Sequence, residues 1–417
     1  MPNPIPGKTY IVQDENSLSQ VAQRAYGDAT LWPKIFKANQ SQLRSGDPDV
    51  IFPGEQIFIP LDSGLEQLKT QVSETTLSNK APDELTLILD GLEVPVDSCR
   101  ILRTMDTVAD GWTASLAWAP GLNLELDKRL LPYSYLPASV YIGGELLVNG
   151  LLYNIESEIS GSGRRKNLEG FSFTADLMDS TLKPPYEKNN FTLKQRAEEL
   201  VAQIGIAVIF DIDPGDPFDR ITANEGDTIF NHLNKLSRQR SGLLSSTPQG
   251  DLLVHQSASG APVATLEEGR QLVRNFKAGF NGRARFNAYR ALGKSPAGNK
   301  VGIANDDNVP RSRFLTFTVN ETTKGDIQKA ADWRRSKQLA DALTIPLPVS
   351  DWFDPAGNLW RENTLVTVIS EAIHVPDGFD FLIRSVEYVL DGTARTATLN
   401  IVPPQVYTGE PLEEPWK

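Results

Sequence analysis

The sequence predicts a multidomain α+β protein. A small N-terminal βααβ unit comes first, then two antiparallel β-barrels with a mixed α/β insert between them. Three observations carry this reading. Within the first 60 residues an i, i+3, i+4, i+7 apolar stripe lies between two short β-rich segments. Two long stretches, 84–188 and 263–404, consist of short β-branched and aromatic runs separated by Gly, Pro and Asp. Between them, 189–262 mixes helical and strand patterns. A chain of 417 residues has room for about three domains at roughly 150 residues each.

In the first unit (1–62), Lys8–Val12 is a β-branched and aromatic strand. Asp14–Ser17 offers N-caps for a helix through Leu18, Val21, Ala22 and Ala25, and Leu31–Asn39 begins a second helix with Pro33 in its first turn. Pro53-Gly54 makes a turn before a closing strand. Residues 63–83 read as a polar linker, partly helical over Leu65–Val72.

In 84–188 the strand candidates are Leu85–Leu89, Val94–Met105, Trp112–Trp118, Ser139–Ile142, Glu145–Ile159 and Phe171–Leu177, with no helix among them. In the insert, Phe191–Ile204 and Gly226–Leu236 are amphipathic helices, Ile206–Ile212 is a strand, and Leu243-Leu244 with Leu252–His255 forms a hairpin. In 263–404 the candidates are Leu272–Arg290, Phe314–Val319, Leu365–Ile369, Phe381–Leu390 and Thr396–Val402, plus one helix over Lys324–Leu343. The tail, 405–417, reads as extended.

Charge narrows the function. Lys and Arg number 41 against 53 Asp and Glu, a net charge of −12. That argues against a nucleic-acid clamp, which needs clustered cations. The single cysteine, Cys99, excludes an intramolecular disulfide and a cysteine-based zinc site. His232, His255 and His374 lie far apart, in no paired-ligand spacing, so no metal and no cofactor is expected. The N-terminus lacks a basic region followed by an apolar one, and no apolar run reaches 18 residues. Neither a secretory signal nor membrane insertion is therefore expected.

Catalytic motifs fail one by one. Gly170-Phe-Ser-Phe-Thr174 lacks the last glycine of a serine elbow, and Gly293-Lys-Ser295 has Ala288 where a phosphate loop needs its first glycine. Gly161–Lys166 reads as a hairpin tip with a basic edge. Asp211–Asp219 crowds four carboxylates, but an EF-hand would need Glu where Thr222 stands. No catalytic residue emerges, and the chain is read as a non-enzyme.

Tyr10-Ile-Val12, Ser17-Leu18, Tyr26-Gly-Asp28, Leu31-Trp-Pro33, Ala38-Asn39 and Ile51–Pro60 together resemble a LysM domain. The resemblance implies a groove for N-acetylglucosamine-containing glycans, rimmed here by Asp14, Glu15, Asn16 and Ser17 and by Val50, Ile51, Phe52 and Pro53. Glu15-Asn16-Ser17 replaces the Gly-Asp-Thr of the family pattern, which removes an easy positive-φ position beside the groove. The same rim is therefore also read as a docking surface for another protein.

Leu85–Gly91, Asp110–Trp118, Gly144–Ile159 and Phe381–Val389, in this order around the insert, resemble the baseplate hub proteins of contractile phage tails, the late control protein D and Mu-like hub group. The resemblance implies two tail-tube-like barrels per chain and a homotrimer. The trimer would join the sixfold tail tube to the threefold central spike and line the DNA-ejection channel. Its partners would be further copies of itself, the tube or tube-initiator protein, the spike, baseplate wedge proteins, peptidoglycan through the LysM rim, and DNA only in transit. Its place would be the virion tail baseplate, assembled in the host cytoplasm. The rival readings are a LysM-targeted peptidoglycan hydrolase, which would need a catalytic motif beyond residue 62, and a glycan-binding adhesin, which would carry a signal peptide or tandem modules.

Overall fold

The computed structural model describes residues 4, 9–13, 17–26, 29–39, 43–45, 47, 50–60, 80–119, 121, 123–161, 163–270, 277–293, 300–319 and 327–408. Two compact units result: Met1–Gln67 with Ala202–Gly205, and the remainder. The expected helix at Leu65–Val72 lies outside the described residues.

In the first unit, β1 (Thr9–Ile11) and β2 (Gln56–Phe58) pair antiparallel, with Tyr10 opposite Ile57. Helices α1 (Leu18–Tyr26) and α2 (Trp32–Asn39) lie between them in sequence, so the order is strand, helix, helix, strand. Ser17 Oγ accepts the Gln20 N–H (3.3 Å) while Gln20 Oε1 accepts the Ser17 N–H (3.1 Å), a reciprocal cap that starts α1. Val21, Ala22, Ile35, Ile57 and Ile59 form the core, and Trp32 packs half-buried against it. Fully buried Asn39 donates to Ile35 O and Phe58 O (2.7 Å each) and accepts the Phe58 N–H (2.6 Å). Its amide imitates a neighbouring strand and closes the outer edge of β2.

The second unit begins with β3 (Leu85–Leu89), β4 (Leu92–Val94), β5 (Ser98–Thr104), β6 (Gly111–Ala117), α3 (Leu124–Arg129), β7 (Pro137–Ile142), β8 (Glu145–Ser160) and β9 (Gly163–Ser172). Two expectations are corrected here. Asn123 Oδ1 accepts the Leu126 N–H (3.1 Å) and caps α3, a short helix where none was expected. Residues 173–179 are a 3-10 turn and the helix α4 (Asp176–Asp179), whereas the sequence reads Phe171–Leu177 as strand. The apolar spacing Phe173, Leu177 fits either period over so short a run.

The insert contains β10 (Glu187–Phe191), α5 (Leu193–Val201), β11 (Val208–Phe210), β12 (Phe218–Thr222), α6 (Ile229–Arg238), β13 (Leu243–Ser246) and β14 (Leu252–His255). β10 pairs with β12, and β11, β14 and β13 make a three-stranded sheet. Thr228 Oγ1 caps α6 by accepting the Asn231 N–H.

The last part holds β15 (Ala264–Glu267), β16 (Gly279–Phe280), β17 (Ala288–Gly293), β18 (Lys300–Asn305), β19 (Phe314–Val319), α7 (Ile327–Ala342), β20 (Leu343–Thr344), β21 (Pro346–Val349), β22 (Leu365–Ser370), β23 (Val375–Asp391), β24 (Ala394–Val402) and α8 (Gln405–Thr408). The tail is thus not wholly extended: α8 buries Val406 and Tyr407. α7 packs on β17 and β18 where Gly293 and Gly302 leave room; a Cβ on Gly302 would lie 2.4 Å from Ile327 O.

The two β regions, expected as separate barrels, share one twelve-stranded sheet ordered β15-β22-β23-β5-β6-β9-β8-β7-β3-β4, with β24 and β21 added on the other side of β23. No pairing closes it into a barrel among the described residues. The 17-residue β23 makes the join: its first half pairs with β22 and Ser385–Asp391 pairs with β5. One core follows, holding Trp112, Leu116 and Leu168 from the first region together with Trp352, Val386 and Leu399 from the last. Gly170 lets β9 lie against Trp112, since a Cβ there would sit 2.5 Å from the indole.

Candidate functional site

The expected glycan rim is partly visible. Asp14, Glu15 and Asn16 lie outside the described residues. Ser17 is occupied as the α1 cap. Val50, Phe52 and Pro53 are exposed and Ile51 is half-buried against the core. The Pro53-Gly54 turn is pinned by the Glu55 carboxylate, which accepts the Phe52 and Arg44 N–H groups (2.8 Å each). Strand alternation points Ile11 and Phe58 outward from the β1–β2 pair, 52% and 43% exposed. The described surface of this unit is therefore more apolar than a polar sugar groove requires.

A second surface was not marked by any motif. On the large sheet, one face carries Cys99, Ile101, Trp112, Ala114 and Leu168 into the core. Among the described residues nothing covers the opposite face. Strand register aligns Thr396, Val389, Arg100, Thr113, Glu169 and Asn154 in one row across β24, β23, β5, β6, β9 and β8. The next row is Ala394, Asp391, Ser98, Ser115, Asn167 and Glu156. This face forms a hollow of ≈ 550 Å³. Five carboxylates stand on it or at its margin, from Glu156, Glu158, Glu169, Glu387 and Asp391, against the arginines Arg100 and Arg165. Arg100 is itself paired with Glu387 at 3.1 Å. The result is a polar, acidic wall. Its only sequence signal is the period-two alternation in β5, β6 and β9.

A third feature lies inside the unit. Arg103, 3% exposed, donates to Leu147 O (2.6 Å), Ser246 O (3.3 Å) and Glu362 Oε1 (2.5 and 3.0 Å), and lies 3.2 Å from Asp110 Oδ2. It joins β5, β8, β13 and the turn before β22. These partners are too distant in sequence for any local pattern to pair them.

The remaining titratable candidates are structural. His232 is buried and accepts from Arg196 Nε (3.3 Å); burial, then the Arg196 charge, push its pKa down to about 4. His374 is exposed in the turn between β22 and β23. Burial pushes the Cys99 thiol up to about 12, so it is no nucleophile. In the Asp211–Asp219 loop, Asp213 Oδ1 is engaged by the Gly215 N–H. Among the described residues no cluster of three metal-ligating side chains occurs, and no helix is long and apolar enough to cross a membrane.

Comparison with known proteins places this architecture. Two family models match: the baseplate hub protein gp44-like second domain at 174–256, and the Mu phage baseplate assembly protein GpP fourth domain at 322–410. The baseplate hub protein gp44 of Escherichia phage Mu is 26% identical over 303 residues, covering 68% of this chain and 78% of its own. The 43 kDa tail protein of prophage MuSo2 from Shewanella oneidensis superposes with a TM-score of 0.68 at 26% identity, over 78% of this chain and 99% of its own. A tail protein from Neisseria meningitidis MC58 has the same fold, with a TM-score of 0.67 at 19% identity, over 78% of this chain and 98% of its own. A shorter match, 43% identical over 51 residues, is to the potassium binding protein Kbp of Escherichia coli O6:H1; it covers 12% of this chain and 33% of that protein.

The multidomain, mostly β fold is that of phage tail proteins. Within that class the two matched domains and the gp44 relative support a Mu-like baseplate hub protein of the tail baseplate. Its relatives are structural hub and tail proteins rather than enzymes.

Proposed function

We propose that three copies form the hub ring of a contractile phage tail or related injection particle, assembled in the host cytoplasm. The ring joins the sixfold tail tube, or its initiator protein, to the threefold central spike, with wedge proteins around it. Two β regions per chain, three chains per ring, reconcile the two symmetries. The observation that supports a channel role is the uncovered acidic face on the large sheet. Turned inward, it repels phosphate and keeps DNA in transit from sticking. The βααβ unit, read as a LysM domain, serves docking on another tail protein; its exposed Val50, Phe52, Ile11 and Phe58 favour this over peptidoglycan binding.

Light scattering of the 45.9 kDa chain alone should give three times that mass, and mixed with spike and tube proteins a complex that holds three copies of it. A single copy in the assembled particle would sink the ring. Particles carrying Glu156→Lys, Glu169→Lys and Asp391→Lys together should assemble yet eject DNA more slowly; unchanged ejection would remove the channel role. Peptidoglycan retention that depends on residues 1–62 would defeat the docking role of the first unit.

A further inference from the structure

The buried cluster around Arg103 has one cation and two carboxylates. Asp110 is fully buried. Its Oδ1 accepts the Thr104 N–H (2.9 Å), with Thr104 Oγ1 at 3.5 Å. Its Oδ2 has no hydrogen-bond donor, and neither has Glu362 Oε2. Arg103 grips Glu362 by two short hydrogen bonds but meets Asp110 only as an ion pair at 3.2 Å. Among the described residues no cation other than Arg103 pairs with Asp110. Tyr388 donates its hydroxyl to Trp360 O. Arg361 is engaged outward by Glu145. His255 Nε2 donates to Met105 O (3.0 Å) and its Nδ1 accepts from the Asn363 amide (3.2 Å), the neutral tautomer, in keeping with the lowering of its pKa by burial. A second buried negative charge is therefore uncompensated, and such charges neutralise.

We infer that Asp110 holds a proton below neutral pH and releases it above, and that this cluster is a pH-responsive latch between β13 and the large sheet. While Asp110 holds the proton, Arg103 balances Glu362 alone and keeps a donor free for Ser246 O, the longest of its hydrogen bonds. Burial drives the Asp110 acid up to about 7, despite the opposing pull of Arg103, whereas Arg103 outweighs the burial of Glu362 and holds it below its usual range. A folded-state value above the unfolded one means stability that is full below about pH 4 and lost as pH rises through about 7. When Asp110 ionises, it competes for the guanidinium and the hold on β13 weakens.

The test is hydrogen exchange of the full chain, corrected for intrinsic rates, on peptides covering 243–255. Protection should fall about tenfold between pH 6 and pH 8, the equivalent of one pKa unit of linkage. In Asp110→Asn, whose amide copies the protonated acid, protection should stay level within about twofold. A carboxyl-carbon NMR titration of the wild-type chain needs no variant and should show an aspartate with a midpoint near neutrality. No such aspartate, or a pH dependence abolished by Glu362→Gln but kept in Asp110→Asn, would overturn the assignment.

Discussion

Replacing Arg103 with Met keeps an apolar stem in place but removes the only cation of the buried cluster. Glu362 is then left without its partner and escapes by taking up a proton. At pH 7 that costs about 1.36 × (7 − 4.3), or about 3.7 kcal/mol, from an ordinary Glu value. The Leu147 and Ser246 carbonyls also lose a donor, at about 1 kcal/mol each. The expected destabilisation is therefore about 6 kcal/mol at pH 7, slightly above the range of about 3–5 kcal/mol for breaking a buried pair because two carbonyls are also left without a donor. At pH 5 protonating Glu362 costs only about 1 kcal/mol, so the deficit shrinks by about 2.7 kcal/mol. The sign follows from the depressed Glu362 value: its contribution is present above the unfolded pKa and lost as pH falls. Urea unfolding of wild type and variant at the two pH values, followed by circular dichroism, measures both quantities. A deficit under about 1 kcal/mol at pH 7, or the same deficit at both pH values, would refute the electrostatic account.

Two further outcomes are expected. Cys99, 2% exposed with its thiol pushed up to about 12, should resist alkylation at pH 8 in the folded chain and react on unfolding; fast labelling of native protein would contradict its core position in β5. Asn39→Ala should cost about 2–3 kcal/mol and expose the Phe58 amide to exchange, because it leaves buried backbone groups unpaired; unchanged protection over residues 56–59 would show that the amide does not hold the edge.

The alternation and capping signals show where local physics sufficed. The α1 cap at Ser17, the amphipathic stripe of α6, and the hairpin between β13 and β14 are each specified within a few residues. At these places propensity, pattern and turn chemistry agree. The short helix α3, the turn into α4, and the four-residue α8 escaped the same reading. A single helical turn carries no periodicity, and its caps or buried anchors decide it.

The sequence alone determined the types of the longer helices and of most strands, the acidic balance, the lack of catalytic and metal motifs, and the resemblance to phage hub proteins. These follow from composition and from interactions spanning about one to four residues. Only the tertiary structure decided that the two β regions share one sheet, because β23 chooses β5 as partner across nearly 300 residues. That pairing aligns scattered Arg, Asn, Thr and carboxylate side chains into one acidic wall, and it brings Arg103, Asp110 and Glu362 together out of water. Which strands pair is set by closing edges and burying one common core, a condition on the whole chain that no local window contains.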